Sequence, residues 1–195
     1  MVAVRVTVVA CATSREEGAA RASGLTVARV GVGASLGVPD EPAVSFGLAG
    51  ALTDELQCGT VVDATRVVDA DGRLLWQGDP LGVPGARQAT VLAADAVVDD
   101  PAERRRLHEA TGAVAADLET GPLARAGRLA GCLRVVSDTP ARPLGRIAVG
   151  TRADGRVRWR GVVSAFVLEP VRAMRATRDA LRALEQLRRA GEALA

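Results

Sequence analysis

The chain has 195 residues, 48% hydrophobic and 25% charged, with a formal net charge of +2. That length gives one domain with a sizeable core, and the composition excludes intrinsic disorder. The small net charge, with scattered arginines, argues against a nucleic-acid partner, and no apolar run reaches the roughly 18 residues of a membrane span.

Ala3 to Cys11 (AVRVTVVAC) reads as a buried strand, and Arg15 to Arg21 as a short helix. This amino-terminal run alternates like a strand and lacks a basic leader, so a cytoplasmic protein without a signal peptide is expected. Leu25 to Gly33 is a second strand and Ala43 to Leu48 a third. Between them, residues 34–42 hold Gly37, Pro39 and Pro42, so no useful helix fits, although a parallel crossover usually needs a dozen or more residues. Either these two strands are not simple crossover neighbours, or an element is missing.

Gly59 to Ala70 is a long Val-rich strand, and Gln88 to Ala94 and Gly112 to Ala116 are further strands. Pro101 to Ala110 opens with Pro in a favoured first-turn position and reads as helix. Glu119 to Leu129 is helical, and Cys132 to Ser137 is a strand. Ile147 to Gly161 suggests a hairpin turning at Asp154-Gly155. From Pro170 to about Ala190 a long amphipathic helix has Val171, Met174, Leu181, Leu184 and Leu187 at helical spacing. It reads as a closing helix on the sheet, with a membrane-surface or partner helix as the alternative. The alternation of strands and helices points to a single α/β domain over residues 1–195, with a central sheet flanked by helices.

Three cysteines, Cys11, Cys58 and Cys132, are far apart and suit reduced, buried thiols better than disulfides or a metal site. His108 is the sole histidine, which excludes a His-rich metal centre, and it reads as a surface residue. The Arg104-Arg105-Arg106 run reads as a solvated face. Neither GVG at residues 31–33 nor SFGLAGAL at 45–52 is a phosphate loop. The second still offers backbone, at Ala49 and Gly50, where a ligand can come close.

The chemistry concentrates between Thr111 and Pro140. Glu119 stands at a strand-to-helix junction and Asp138 at the end of the next apolar strand. If both strands run the same way, their C-terminal ends open on one crevice. One carboxylate could then grip a sugar diol while the other protonates a leaving base, as cleavage of an N-glycosidic bond requires. Ser137 and Thr139 could orient Asp138, although all three also suit a helix N-cap. Glu119 equally suits a first helical turn. A third carboxylate, Glu16 or Glu17 with Glu16 preferred, could take a proton from water.

These residues resemble the purine nucleoside phosphorylase and nucleosidase superfamily, and within it the hopanoid-associated adenosylhopane nucleosidases, which are phosphorylase-like. The resemblance rests on SFGLAGAL, CGTVVDATRVVDADG, TGAVAADLE and RVVSD in that order. It implies a mixed, mostly parallel sheet flanked by helices and a homodimer or higher oligomer, while the connection at residues 34–42 departs from the family in being shorter than its usual helix-bearing one. It also implies hydrolysis of a 5′-substituted adenosine, lipid-linked in the favoured case of adenosylhopane, with no cofactor and no metal. Methylthioadenosine, S-adenosylhomocysteine and futalosine are the other substrates it allows. A phosphate-dependent phosphorylase and a non-catalytic nucleoside- or partner-binding relative are the competing readings. By motif, Asp138 faces purine N7, Glu119 the ribose hydroxyls and Glu16 the attacking water. Leu118 stands where many relatives place a ribose-contacting methionine, Leu48 in place of a polar serine, and Val97 where an aromatic often stacks on adenine. A lipid-linked substrate would also place the protein peripherally at the inner membrane surface.

Overall fold

The computed structural model describes residues 8–144 and 170–194. The expected hairpin at Asp154-Gly155 and the start of the first strand, at Ala3, lie outside them.

Strand β1 (Val8–Cys11) lies between β2 (Thr26–Arg29) and β3 (Ala43–Ala51), parallel to both. Helix α1 (Ser14–Ala20) joins β1 to β2 and starts with a reciprocal cap: Thr13 Oγ1 accepts from Glu16 N, while the Glu16 side chain accepts from Thr13 N. The second and third strands are therefore not sheet neighbours. They flank β1, and the link between them makes do with a 3-10 turn at Val32–Ala34. That turn needs positive φ at Gly31, Gly33 and Gly37, which glycine supplies without a side-chain clash.

The remaining strands are β4 (Val61–Val68), β5 (Leu74–Gln77), β6 (Arg87–Ala93), β7 (Ala115–Asp117) and β8 (Leu129–Asp138). β4, β6 and β7 are mutually parallel and run opposite to β3 and β8. The strand order is β2-β1-β3-β7-β6-β4-β5, while β8 joins β3 to β4 on its two edges. The path β3-β8-β4-β6-β7 thus returns to β3 and closes. Strand β3 can be shared because β1 covers one edge only as far as Ser45; β7 takes over that edge at Gly50 and Ala51.

One apolar cluster joins the closed path to β1 and the helix Thr120–Arg125, and in it Val62, Val67, Val91, Ala115, Leu123, Cys132 and Val136 are fully buried. Helix α2 (Pro101–Thr111) is capped by Asp100 through bonds from the N–H groups of Ala102 and Glu103, and Gly112 ends it in the left-handed region. Helix α3 (Thr120–Arg125) is shorter than the expected Glu119 to Leu129, because Gly127 turns the chain and Leu129 already belongs to β8. Helix α4 (Pro170–Glu192) packs on β8 and α1.

The face that α4 buries keeps Leu184 and Leu187 of the expected set but not the other three. Ala173, Ala183, Leu187 and Ala190 are buried, whereas Val171, Met174 and Leu181 are more than half exposed. Small residues win the inner face because the helix lies close: a Cβ at Gly191 would sit 3.2 Å from Ala19 O and 3.3 Å from Phe46. Among the described residues no helix is long and apolar enough to cross a membrane.

Candidate active site

Gly50 is the point where the site is assembled. On one edge of β3 it pairs with Ala116 of β7, on the other with Asp138 of β8. The two strands carrying Glu119 and Asp138 do not run the same way, as the sequence suggested; they are antiparallel in sense. Their ends still converge, because the closed path brings both to the same residue of β3. A cavity of about 360 Å3 opens there. Its walls include all eight residues singled out from the sequence: Glu16, Ala49, Gly50, Val97, Leu118, Glu119, Ser137 and Asp138.

Glu16 reaches the cavity from α1 with both carboxylate oxygens held. Oε1 accepts from Leu48 N at 2.8 Å, and Oε2 from Thr13 N and Thr13 Oγ1 at 2.9 Å each. Position 48 thus holds Glu16 through its backbone N–H, a bond that any residue but proline can make, while leucine brings no hydroxyl of its own. Glu17 instead pairs with Arg21 at 2.8 Å on the outside, and that hydrogen bond holds its carboxyl below the usual range.

Glu119 precedes α3 with helical dihedrals, yet its side chain makes no capping bond. It turns inward, is 6% exposed, and accepts from Gly33 N at 3.1 Å. The short 30–42 link thus supplies a donor to the site. Burial raises the Glu119 pKa to about 8, with Asp117 and Glu16 adding to the rise and Arg134 opposing it.

Arg134, from the middle of β8, is the hub at this end. Its side chain is 1% exposed and ion-pairs with Asp117, with Glu119 Oε2 3.8 Å away. It also donates to Ser45 Oγ and to Thr120 Oγ1 at 2.8 Å. Burial alone would weaken its hold on a proton, but Asp117, Cys132, Glu119 and Glu16 more than reverse this and keep the guanidinium charged. Asp117 is pushed up by burial, against the pull of Arg134. Gly47 makes the arrangement possible, since a Cβ there would lie 2.5 Å from Arg134 Nη1 and 2.6 Å from Glu16 Oε1.

At the other end, no helix follows Asp138; the chain turns at Thr139–Arg142, so the capping alternative does not apply. Asp138 is 3% exposed, accepts from Ser137 Oγ at 2.6 Å and ion-pairs with Arg104. Burial pushes its pKa up, while Arg104 and the Ser137 bond pull it back. Sequence reasoning put Arg104 on a solvated face, yet its side chain is 1% exposed against 56% for Arg105 and 62% for Arg106. The available signal was helical spacing: Arg104 and Leu107 are the buried pair of α2.

The exposed lining residues are Ala96 and Val97, the latter 52% exposed, together with the polar Ser14 and Arg15; Val98, Leu144, Ala176, Ala180 and Leu184 line the cavity half-buried. No aromatic side chain lines the cavity among the described residues, since Phe46 lies in the core and Trp76 on β5. Cys11 and Cys132 are buried, and their thiols are raised by burial to about 12 and about 11, whereas Cys58 is only half-buried. His108 is half-buried, its Nδ1–H donating to Ala113 O at 2.8 Å. No group of three or more His, Cys, Asp or Glu side chains among the described residues could hold a metal ion.

A mixed sheet closed in this way and flanked by helices, with its cavity at the strand ends, has the α/β fold of nucleosidases. The chain is similar over almost its whole length to a Helicobacter pylori futalosine hydrolase (TM-score 0.62, 14% identity, 98% of this chain and 97% of that one). It is similar in the same way to a Helicobacter pylori 5′-methylthioadenosine/S-adenosylhomocysteine nucleosidase (TM-score 0.59, 14% identity, 95% and 97%). A Streptococcus pneumoniae (S. pneumoniae) enzyme of that second kind, solved with a transition-state inhibitor, gives a TM-score of 0.57 at 13% identity, covering 92% and 98%. No family model matches the sequence, and no curated protein does.

Proposed function

We propose that this protein is a purine N-ribosyl hydrolase that releases adenine from a 5′-substituted adenosine. The observation that carries this reading is the meeting of Glu16, Glu119 and Asp138 around one cavity at Gly50. Breaking the bond between C1′ and N9 builds positive charge on the sugar and sends an electron pair into the purine. Asp138 delivers a proton to N7, so the base leaves neutral. Glu119 holds the 2′ and 3′ hydroxyls, with Leu118 against the ribose. Glu16 takes the proton that water loses as its oxygen bonds to C1′. Asp138, pushed up by burial, has the character of such an acid.

Water is favoured over phosphate on electrostatic grounds. Even with Glu119 protonated, Glu16 and Asp117 outnumber Arg134 at that end. The basic residues of the cavity lining are Arg15, which is exposed, and Arg104, which is already paired with Asp138. A phosphate anion would meet excess carboxylate. The apolar part of the lining, at Val97, Val98, Leu144, Ala180 and Leu184, supports a large apolar 5′ substituent, which makes adenosylhopane the preferred substrate. The protein then works as a homodimer or higher oligomer at the inner membrane surface, where such a substrate lies.

Release of free base by the purified protein tests this, with adenosylhopane, methylthioadenosine, S-adenosylhomocysteine and futalosine supplied with and without phosphate. Adenine release without phosphate, fastest from adenosylhopane, is expected. A rate that demands phosphate overturns hydrolysis, and binding without turnover across the panel overturns the enzyme.

A further inference from the structure

We propose that Arg104 is the positioning residue of the base-protonating step, acting through Asp138; this rests on the hydrolase reading above. A guanidinium taken out of water costs several kcal/mol unless its donors are met. Here they are met by groups from three parts of the chain. Nε donates to Val98 O at 2.9 Å, Nη1 to Ala51 O at 3.0 Å, and Nη2 to Asp138 Oδ2, with Asp99 Oδ1 3.6 Å away. The side chain therefore ties the end of β3 and the rim segment beside Val97 to the carboxylate of β8. Gly50 leaves the room, for a Cβ there would stand 3.0 Å from Asp138 Oδ2 and 3.3 Å from Arg104 Nη2.

A hydrophobic side chain would satisfy packing at this position more cheaply. What arginine adds is a fixed plane and a fixed charge. With Arg104 on Oδ2 and Ser137 Oγ on Oδ1, neither oxygen of Asp138 can swing away from the cavity. When the proton passes to N7, the negative charge left on Asp138 forms beside a guanidinium already in place. Arg104 thus makes Asp138 a stronger acid than burial alone would allow.

The other charged groups around Asp138 act less directly. Asp99, before α2, opposes ionisation of Asp138. Cys58, between β3 and β4, is itself raised by burial and then by Asp179 of α4 and Asp138, so it stays neutral. Asp179 is paired with Arg142 at 3.0 Å.

Arg104→Met should move the alkaline limb of kcat/KM upward by about one to three pH units, because the opposite charge beside the acid is gone. It should lower kcat by roughly 10- to 100-fold, in the range by which general acid help changes rates. Arg104→Lys keeps the charge and should return the limb towards wild type. A merely structural role would lower activity in both variants with the limb unmoved. Carboxyl 13C titration of Asp138, assigned by its loss in Asp138→Asn, reads the same shift without substrate. A wild type that frees no base sinks the hydrolase reading alone if Arg104→Met still moves the Asp138 titration. An Asp138 titration unchanged by Arg104→Met overturns the role of Arg104, whether or not base is released. Thermal unfolding of both variants shows that each is folded; should Arg104→Met fail to fold, Arg104→Gln takes its place in every comparison.

Discussion

Two arginines are buried to the same 1%, one against Asp138 and the other against Asp117, and their surroundings differ in charge. Arg134 faces Asp117, Glu119 and Glu16, so carboxylates are in excess and the region holds on to a proton; Glu119 keeps one up to about pH 8. Arg104 has one buried partner, Asp138, and a second, Asp99, that is one-third exposed. The same residue type therefore leaves one end crowded with negative charge and the other balanced. Removing a carboxylate should relieve the first end and damage the second.

The sharpest way to break this contrast is Asp138→Asn. It should cost about 100- to 10,000-fold in kcat, the range of a lost general acid. It should also lower stability, since Arg104 loses its charged partner. Base release and thermal unfolding together read both effects, and a fully active variant would remove the proposed acid. Glu119→Gln should act differently, raising KM by about 10-fold as the carboxyl's hydrogen bonds to the sugar diol are replaced by an amide's, with a smaller change in kcat.

Gly47→Ala tests how tightly the crowded end is packed. Its new methyl group would press on Arg134 and Glu16 at 2.5 and 2.6 Å. Overpacking of this kind costs about 1–3 kcal/mol, and each kcal/mol is worth roughly 2–4 °C in Tm for a domain this size. A comparison across pH sharpens the contrast most. The folded protein keeps on Glu119 a proton that the unfolded chain gives up near its ordinary 4.5, so stability falls as pH rises from there to about 8. Glu119→Gln lacks that loss. It should match wild type at pH 4 and exceed it by a margin that grows up to about pH 8. A Tm difference that ignores pH would show that folding leaves the Glu119 pKa unshifted.

What could be read from the sequence was local. Glu119 and Asp138 were recognisable from strand ends and turn residues, and Glu16 from the start of a helix. Strand β5 was missed although Asp71-Gly72 marks its hairpin, where Asp69 Oδ1 accepts from Asp71 N and Arg73 N. The direction of β7 relative to β8 was misjudged because the order of residues does not say that a sheet closes on itself. Arg104 and Arg134 were legible only as charges, since what makes them part of the site is pairing between distant elements. Gly33 was passed over for the same reason: its partner, Glu119, lies 86 residues away.

Glu16 has a consequence for how this protein can change over time. One of its oxygens fastens the first turn of α1 while the other sits against β3 beside the proposed water. Residues that serve chemistry are commonly the ones a protein would be sturdier without. Here selection for sturdiness and selection for turnover favour the same glutamate, so a descendant that gave up its substrate would still have reason to keep it.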